Sequence, residues 1–169
     1  MARKKKDISQ GLHIKGFYRL TIDDGNGRIV GDSGLFSNTV GNVGIEQYAA
    51  YTLGASAGSK QLGFFALGSG GSMATNGTTI ASEVLQASKR ASISAKSFSS
   101  RTVSNGSATM YFYGQFASAD SFVSTSYDIS NIGLGNSNSG GTLFCAQTFN
   151  SSQVSTNQNV NVTYQIQIG

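Results

Sequence analysis

Histidine and cysteine, the side chains that most often do chemistry at neutral pH, occur once each in this 169-residue chain, as His13 and Cys145. Together they supply two of the four ligands that a structural zinc takes. Ser-His-Asp chemistry is arithmetically available, but a single histidine inside a strand-like run reads as structural. Asp23 and Asp24 stand in a turn sequence, where Asp belongs for conformational reasons. Asp120 and Asp128 are far apart, and no calcium-loop spacing occurs. Gly54-Ala55-Ser56-Ala57-Gly58-Ser59-Lys60 lacks the spacing of a phosphate loop. Gly68-Ser69-Gly70-Gly71 lacks the following lysine. These patterns predict a protein that is not an enzyme and holds no cofactor or metal.

Two other groups of residues could make contacts. Arg3, Lys4, Lys5 and Lys6 account for the whole net charge of +4, since the remaining eight basic residues balance eight acidic ones. A neutral body with a basic arm follows. Such runs are solvated tails or interaction arms, and four charges without interleaved aromatics favour a protein surface over nucleic acid. Tyr111 and Tyr113 alternate with Met110 and Phe112, so they project from the opposite face as exposed interface aromatics or sugar-stacking rings. Cys145 lies in the strand-like run Thr142 to Ala146 and reads as a buried thiol. A single cysteine suits synthesis in a reducing cytoplasm. No apolar run reaches membrane-spanning length.

The elements that must carry these residues are strands. Charged residues make up 12% of the chain, about half the usual share. There are 22 glycines and no prolines, so turns must come from Gly, Asn, Asp and Ser. From Leu12 to Ile22 the apolar residues recur every second position, with Gly16 marking a bulge or a close approach. Asp23 to Gly27 is a hairpin turn signal, and Arg28 to Val30 a short return. Residues 32–44 read as loop. Ile45 to Leu53 reads as a short helix stopped by Gly54, and Thr79 to Gln86 as a second helix with Glu83 near its start. Further strands are expected at Gln61 to Leu67, Ser88 to Ser100, Ser107 to Ser118, Tyr127 to Leu134 and Thr142 to Phe149. The last run alternates Val160, Val162, Tyr164, Ile166 and Ile168 with polar residues. The expected architecture is a basic arm over residues 1–10 and one domain over 11–169. That domain is an all-β, antiparallel, jelly-roll-like sandwich with one or two short helices.

The order of four segments resembles small structural proteins of tailed bacteriophages. The segments are Asn38 to Gly44, Phe65 to Gly70 with its Ala-Leu-Gly-Ser-Gly turn, Thr79 to Val84, and Ile132 to Leu134 followed by Gly141 to Ala146. The chain departs from the pattern in two places: no proline follows Gly70, and position 86 is Gln where an arginine commonly stands, with Lys89 and Arg90 coming later. The resemblance implies a virion component made in the host cytoplasm and forming homo-oligomers, often trimers. The leading expectation is a capsid decoration protein that bridges capsomers, with the major capsid protein or other virion proteins as partner and no membrane. The alternatives are a self-assembling coat protein whose basic arm faces nucleic acid, and a neck or tail fibre module that binds a host glycan.

Overall fold

A computed structural model describes residues 14–41, 62–71, 79–84, 90–102 and 107–168. Ten strands run in chain order: β1 (Ile14–Asp23), β2 (Ile29–Asp32), β3 (Phe36–Val40), β4 (Phe64–Gly68), β5 (Glu83–Val84), β6 (Ala91–Thr102), β7 (Ser107–Phe116), β8 (Tyr127–Gly135), β9 (Leu143–Val154) and β10 (Asn159–Ile168). Every pairing is antiparallel. Among the described residues the only helical element is a 3-10 turn at Ser118–Asp120, and no helix is long and apolar enough to cross a membrane.

The all-β expectation holds, while its finer form needs correction. Rather than two separate sheets, the strands close into a ring: β1-β10-β7-β6-β4-β8-β9-β3 and back to β1. This is an eight-stranded antiparallel barrel. The ring does not have jelly-roll order, because the last strand lies between the first strand and the β6–β7 hairpin. Closure is uneven. β1 pairs with β10 along its whole length, from Ile14↔Ile168 to Asp23↔Asn159. β3 meets β9 only at Thr39↔Ala146 and Val40↔Cys145, and β4 meets β6 only at Phe64↔Ser92 and Phe65↔Ala91. The barrel closes through two short pairings, β3–β9 and β4–β6.

Two local expectations also change. The segment read as loop contains β3, which runs antiparallel to the lower half of β1 through Gly16↔Asn38 and Tyr18↔Phe36. The helix expected over 79–86 is absent from its described part: Ala81 and Ser82 form a turn and Glu83–Val84 pairs with β4. Ser82 has a φ of 45°, which a right-handed helix cannot accommodate. Gly68 leaves room for this turn, since a Cβ there would meet the carbonyl oxygen of Ala81 at 2.5 Å. The helix expected over 45–53 lies outside the described residues.

Period-two patterning fixes which side chains fill the barrel. Tyr18, Leu20 and Ile22 from β1, Phe112 and Phe116 from β7, Ile132 and Leu134 from β8, and Val160, Val162, Tyr164 and Ile166 from β10 are all buried in one cluster with Phe65, Cys145 and Val154. Burying each large apolar side chain contributes roughly 1.5–3 kcal/mol before entropy is counted. A second, smaller cluster of Ala66, Ile80, Leu143 and Ala146 is distinct from this interior. The turn at 79–84 brings Ile80 into it, which is why residues 131–135 and 143–146 are buried on both faces.

Candidate interaction surface

The chemistry-bearing side chains fall into interior, corner and surface groups. Cys145 stands inside the barrel beside two phenols. Its thiol donates to Tyr164 Oη at 3.1 Å and lies 3.2 Å from Tyr18 Oη. Asn38 Nδ2 donates to Tyr164 Oη at 3.4 Å. Gly16 makes this cluster fit, because a Cβ at that position would collide with Asn38 and the Tyr164 hydroxyl. The close approach expected at Gly16 is therefore real. Burial pushes the Cys145 thiol up to about 12, against the opposing effect of its hydrogen bonds with Tyr164 and Tyr18. Tyr18 and Tyr164 are raised well above 10, first by burial and then by Cys145. A sealed, protonated thiol is a packing group and not a nucleophile.

The Asp23–Asp24 turn is likewise committed to structure. Asp23 is buried and accepts bonds from Asn159 Nδ2 and Asn161 Nδ2, each at 2.7 Å, and from the Gly25 amide at 2.9 Å. Asn161 Oδ1 accepts from Gln115 Nε2 at 2.7 Å, which links β1, β10 and β7. Asp24 accepts from the Asn26 amide, and this bond holds its carboxyl below the usual range. The glycine loop after β4 is pinned to β8: Gly70 N donates to Ser130 Oγ at 3.3 Å and Asn131 Nδ2 donates to the Gly71 carbonyl at 3.0 Å.

One buried ion pair was not legible in the sequence. The Arg90 side chain is fully buried and bonds Glu83 through both Nε and Nη2, the latter at 3.0 Å. Its Nη1 donates to the carbonyls of Gly140 at 2.6 Å and Ser137 at 3.3 Å. Arg90 thus ties the β5 turn to the β8–β9 loop. The resemblance leads one to look for an arginine three residues after Glu83, whereas the partner comes seven residues later.

The remaining candidate residues are described only in part. Arg3, Lys4, Lys5, Lys6 and His13 lie outside the described residues. So does the stretch Gly54 to Gly58, whose Gly-x-Ser-x-Gly spacing also matches a nucleophile elbow. Tyr111 and Tyr113 do share the outer face of β7, with near-parallel rings 6.3 Å apart and 11° between planes. They are half-buried rather than fully exposed. Across the sheet Tyr111 sits opposite Gln165, and Gln165 in turn opposite Phe17. Asp120 and Asp128 stand apart, on the 3-10 turn and on β8. Among the described residues no group of three or more His, Cys, Asp or Glu side chains could hold a metal.

Among the described residues the exposed large apolar side chains, which no sequence pattern marked, are Ile29, Val30 and Leu35, at 52%, 47% and 58% accessible. They lie on and just after β2, which is off the ring and, among the described strands, pairs with β1. The available signal was the pair Ile29-Val30 in a segment too short to have a second apolar face.

Among the described residues, the strands form a closed antiparallel barrel with an aromatic outer strip on β7 and a short additional strand, β2, off the ring. No protein-family model, curated protein or solved structure matches this chain.

Proposed function

We propose that this chain is a structural virion protein of a bacteriophage, a capsid decoration protein that bridges capsomers and uses Arg3, Lys4, Lys5 and Lys6 as an anchoring arm. One observation supports the reading above the others: the phage-like segments, scattered along the chain, fold against each other as neighbours. Leu67 of β4 pairs with Ile132 of β8 and with Val84 of β5. Gly133 of β8 pairs with Ala146 of β9, and Ala146 with Thr39 of β3. A likeness whose parts form one contiguous patch behaves as a structural unit rather than as chance matches. The arm would order on an acidic shell surface, and repetition over many copies would supply avidity.

Co-sedimentation with phage shells tests the proposal. The full chain should pellet with assembled shells, and removing residues 1–7 should weaken binding at least tenfold while leaving the far-UV circular dichroism unchanged. Unaltered binding by the truncated chain would sink the arm, and large particles formed by the chain alone would make it a coat protein. The parallel Tyr111 and Tyr113 rings favour a second reading, a neck or tail fibre module that stacks a host sugar. Binding on a glycan array that disappears in Tyr111→Ala would decide for it.

A further inference from the structure

We infer, resting on the sugar-binding reading, that the outer face of β1, β10 and β7 takes an uncharged saccharide and that the Gln165 amide reads a pair of its hydroxyls between the rings of Phe17 and Tyr111. β10 pairs with β1 on one side and with β7 on the other, and neither ladder has a register shift. Phe17, Gln165 and Tyr111 therefore stand in one straight row, each directly opposite the next. Their neighbours along the strands, Tyr18, Tyr164 and Phe112, are buried in the core, so the row points outward. Directly opposed side chains on one face of a sheet lie within reach of each other. The two rings are two strand spacings apart, about 10 Å, and Gln165 forms the floor between them. Tyr111 is set in turn against Tyr113, with its ring nearly parallel.

The amide is the feature that marks the site. Gln165 is 9% exposed, yet among the described residues its side chain makes no hydrogen bond. Covered polar side chains are almost always bonded. Elsewhere on the same face that rule holds: Gln115 donates to Asn161, Asn161 donates to Asp23, and Arg19 donates twice to Asp32. Gln165 departs from it, and the ring on either side brings it no partner. A side-chain amide offers a donor and an acceptor side by side. That is the complement of two adjacent hydroxyls on a pyranose, one accepting from Nε2 and the other donating to Oε1. The faces of the flanking rings carry negative charge density and suit the C–H face of the same sugar. Charge favours a saccharide over a nucleic acid. Arg19 is neutralised by Asp32 at 2.6 Å, which leaves Lys15 as the cation of this face without an ion pair among the described residues. A groove for single-stranded nucleic acid tracks the backbone with a row of positive charge. Here the groups beside the row are the amide of Gln167 and the hydroxyl of Thr163, which fit an uncharged ligand.

A covered amide without a partner weakens the fold, so stability and binding pull Gln165 in opposite directions. Gln165→Leu keeps the size and removes the amide. The variant should have a higher urea midpoint than the natural chain. It should also bind hexasaccharides of glucose, galactose or mannose at least tenfold more weakly. The chain has no tryptophan, so tyrosine emission reports ligand at Tyr111, with calorimetry as the second readout. Gln165→Glu keeps the acceptors and loses the donor, and should weaken binding to a similar extent. A Gln165→Leu midpoint no higher than that of the natural chain overturns the inference, because the amide is then bonded within the protein. Binding that is lost in Tyr111→Ala but kept in both Gln165 variants also overturns it, and leaves the stacking reading standing. Failure of the natural chain to bind any of the three sugars removes both. An oligothymidylate bound more tightly than the sugars, with affinity falling as salt rises, makes the face a nucleic-acid platform instead.

Discussion

Replacing Arg90 by methionine is expected to destabilise the barrel by about 3–5 kcal/mol, the range for breaking a buried pair from one side. Methionine keeps most of the volume, so the loss is electrostatic. Glu83 would retain a carboxylate at a largely covered site, and the carbonyls of Gly140 and Ser137 would lose their donors. The effect is large because Arg90 joins three stretches of chain: its own, the β5 turn and the β8–β9 loop. That turn carries Ile80, which covers Ala66, Leu143 and Ala146. The damage should therefore spread to the outer face of β4, β8 and β9. Urea unfolding measures it. The double replacement Glu83→Gln with Arg90→Met should recover part of the loss, since removing both charges leaves neither uncompensated. A single Arg90→Met within ~1 kcal/mol of the natural chain would show that water reaches Glu83 and that the pair does not hold the loop.

The second large effect is alkaline. Cys145 is raised from 9.0 to about 12, and Tyr18 and Tyr164 are raised well above 10.0. A raised pKa means that the folded protein keeps a proton the unfolded chain releases. The stabilisation from these groups is fully present below their unfolded values and is lost as pH rises toward the folded ones. Stability should then be level up to about pH 9 and fall between 9 and 12. The fall belongs to the thiol and the two phenols together, because hydrogen-bonded groups titrate as a unit. The phenols steepen the decline above pH 10. Urea midpoints at successive pH values give the curve. Cys145→Ala should be less stable at pH 8, because it leaves a cavity, but should show a shallower slope between pH 9 and 10. An equal slope in the variant would mean that the thiol is not the group responsible. The same burial predicts negligible alkylation of Cys145 until the barrel unfolds.

Local patterning carried much of the fold. The alternation of Tyr18, Leu20 and Ile22, and of Val160, Val162, Tyr164 and Ile166, fixes strand identity and core face, because a one-residue slip would turn every apolar side chain to water. The Asp-Asp-Gly-Asn-Gly turn and the outward face of Tyr111 and Tyr113 follow from the same local rules, whereas the half-burial of the two rings does not. β3 was hidden because its inward position 38 is Asn, whose amide answers Tyr164 from the far end of the chain and so breaks the apolar alternation. The turn at 79–84 imitated a helix because Ile80 and Val84 are four apart. Pairing with Leu67 and Gly68 overrides that local spacing, since burial against a formed sheet outweighs weak helix propensity. Barrel closure, the Glu83–Arg90 pair and the position of β2 off the ring depend on which strands become neighbours across long stretches of chain. Sequence by itself determined what the alternating strands bury; only the tertiary structure decided which strands meet, because hydrophobic burial is non-directional and many pairings satisfy the same alternating pattern.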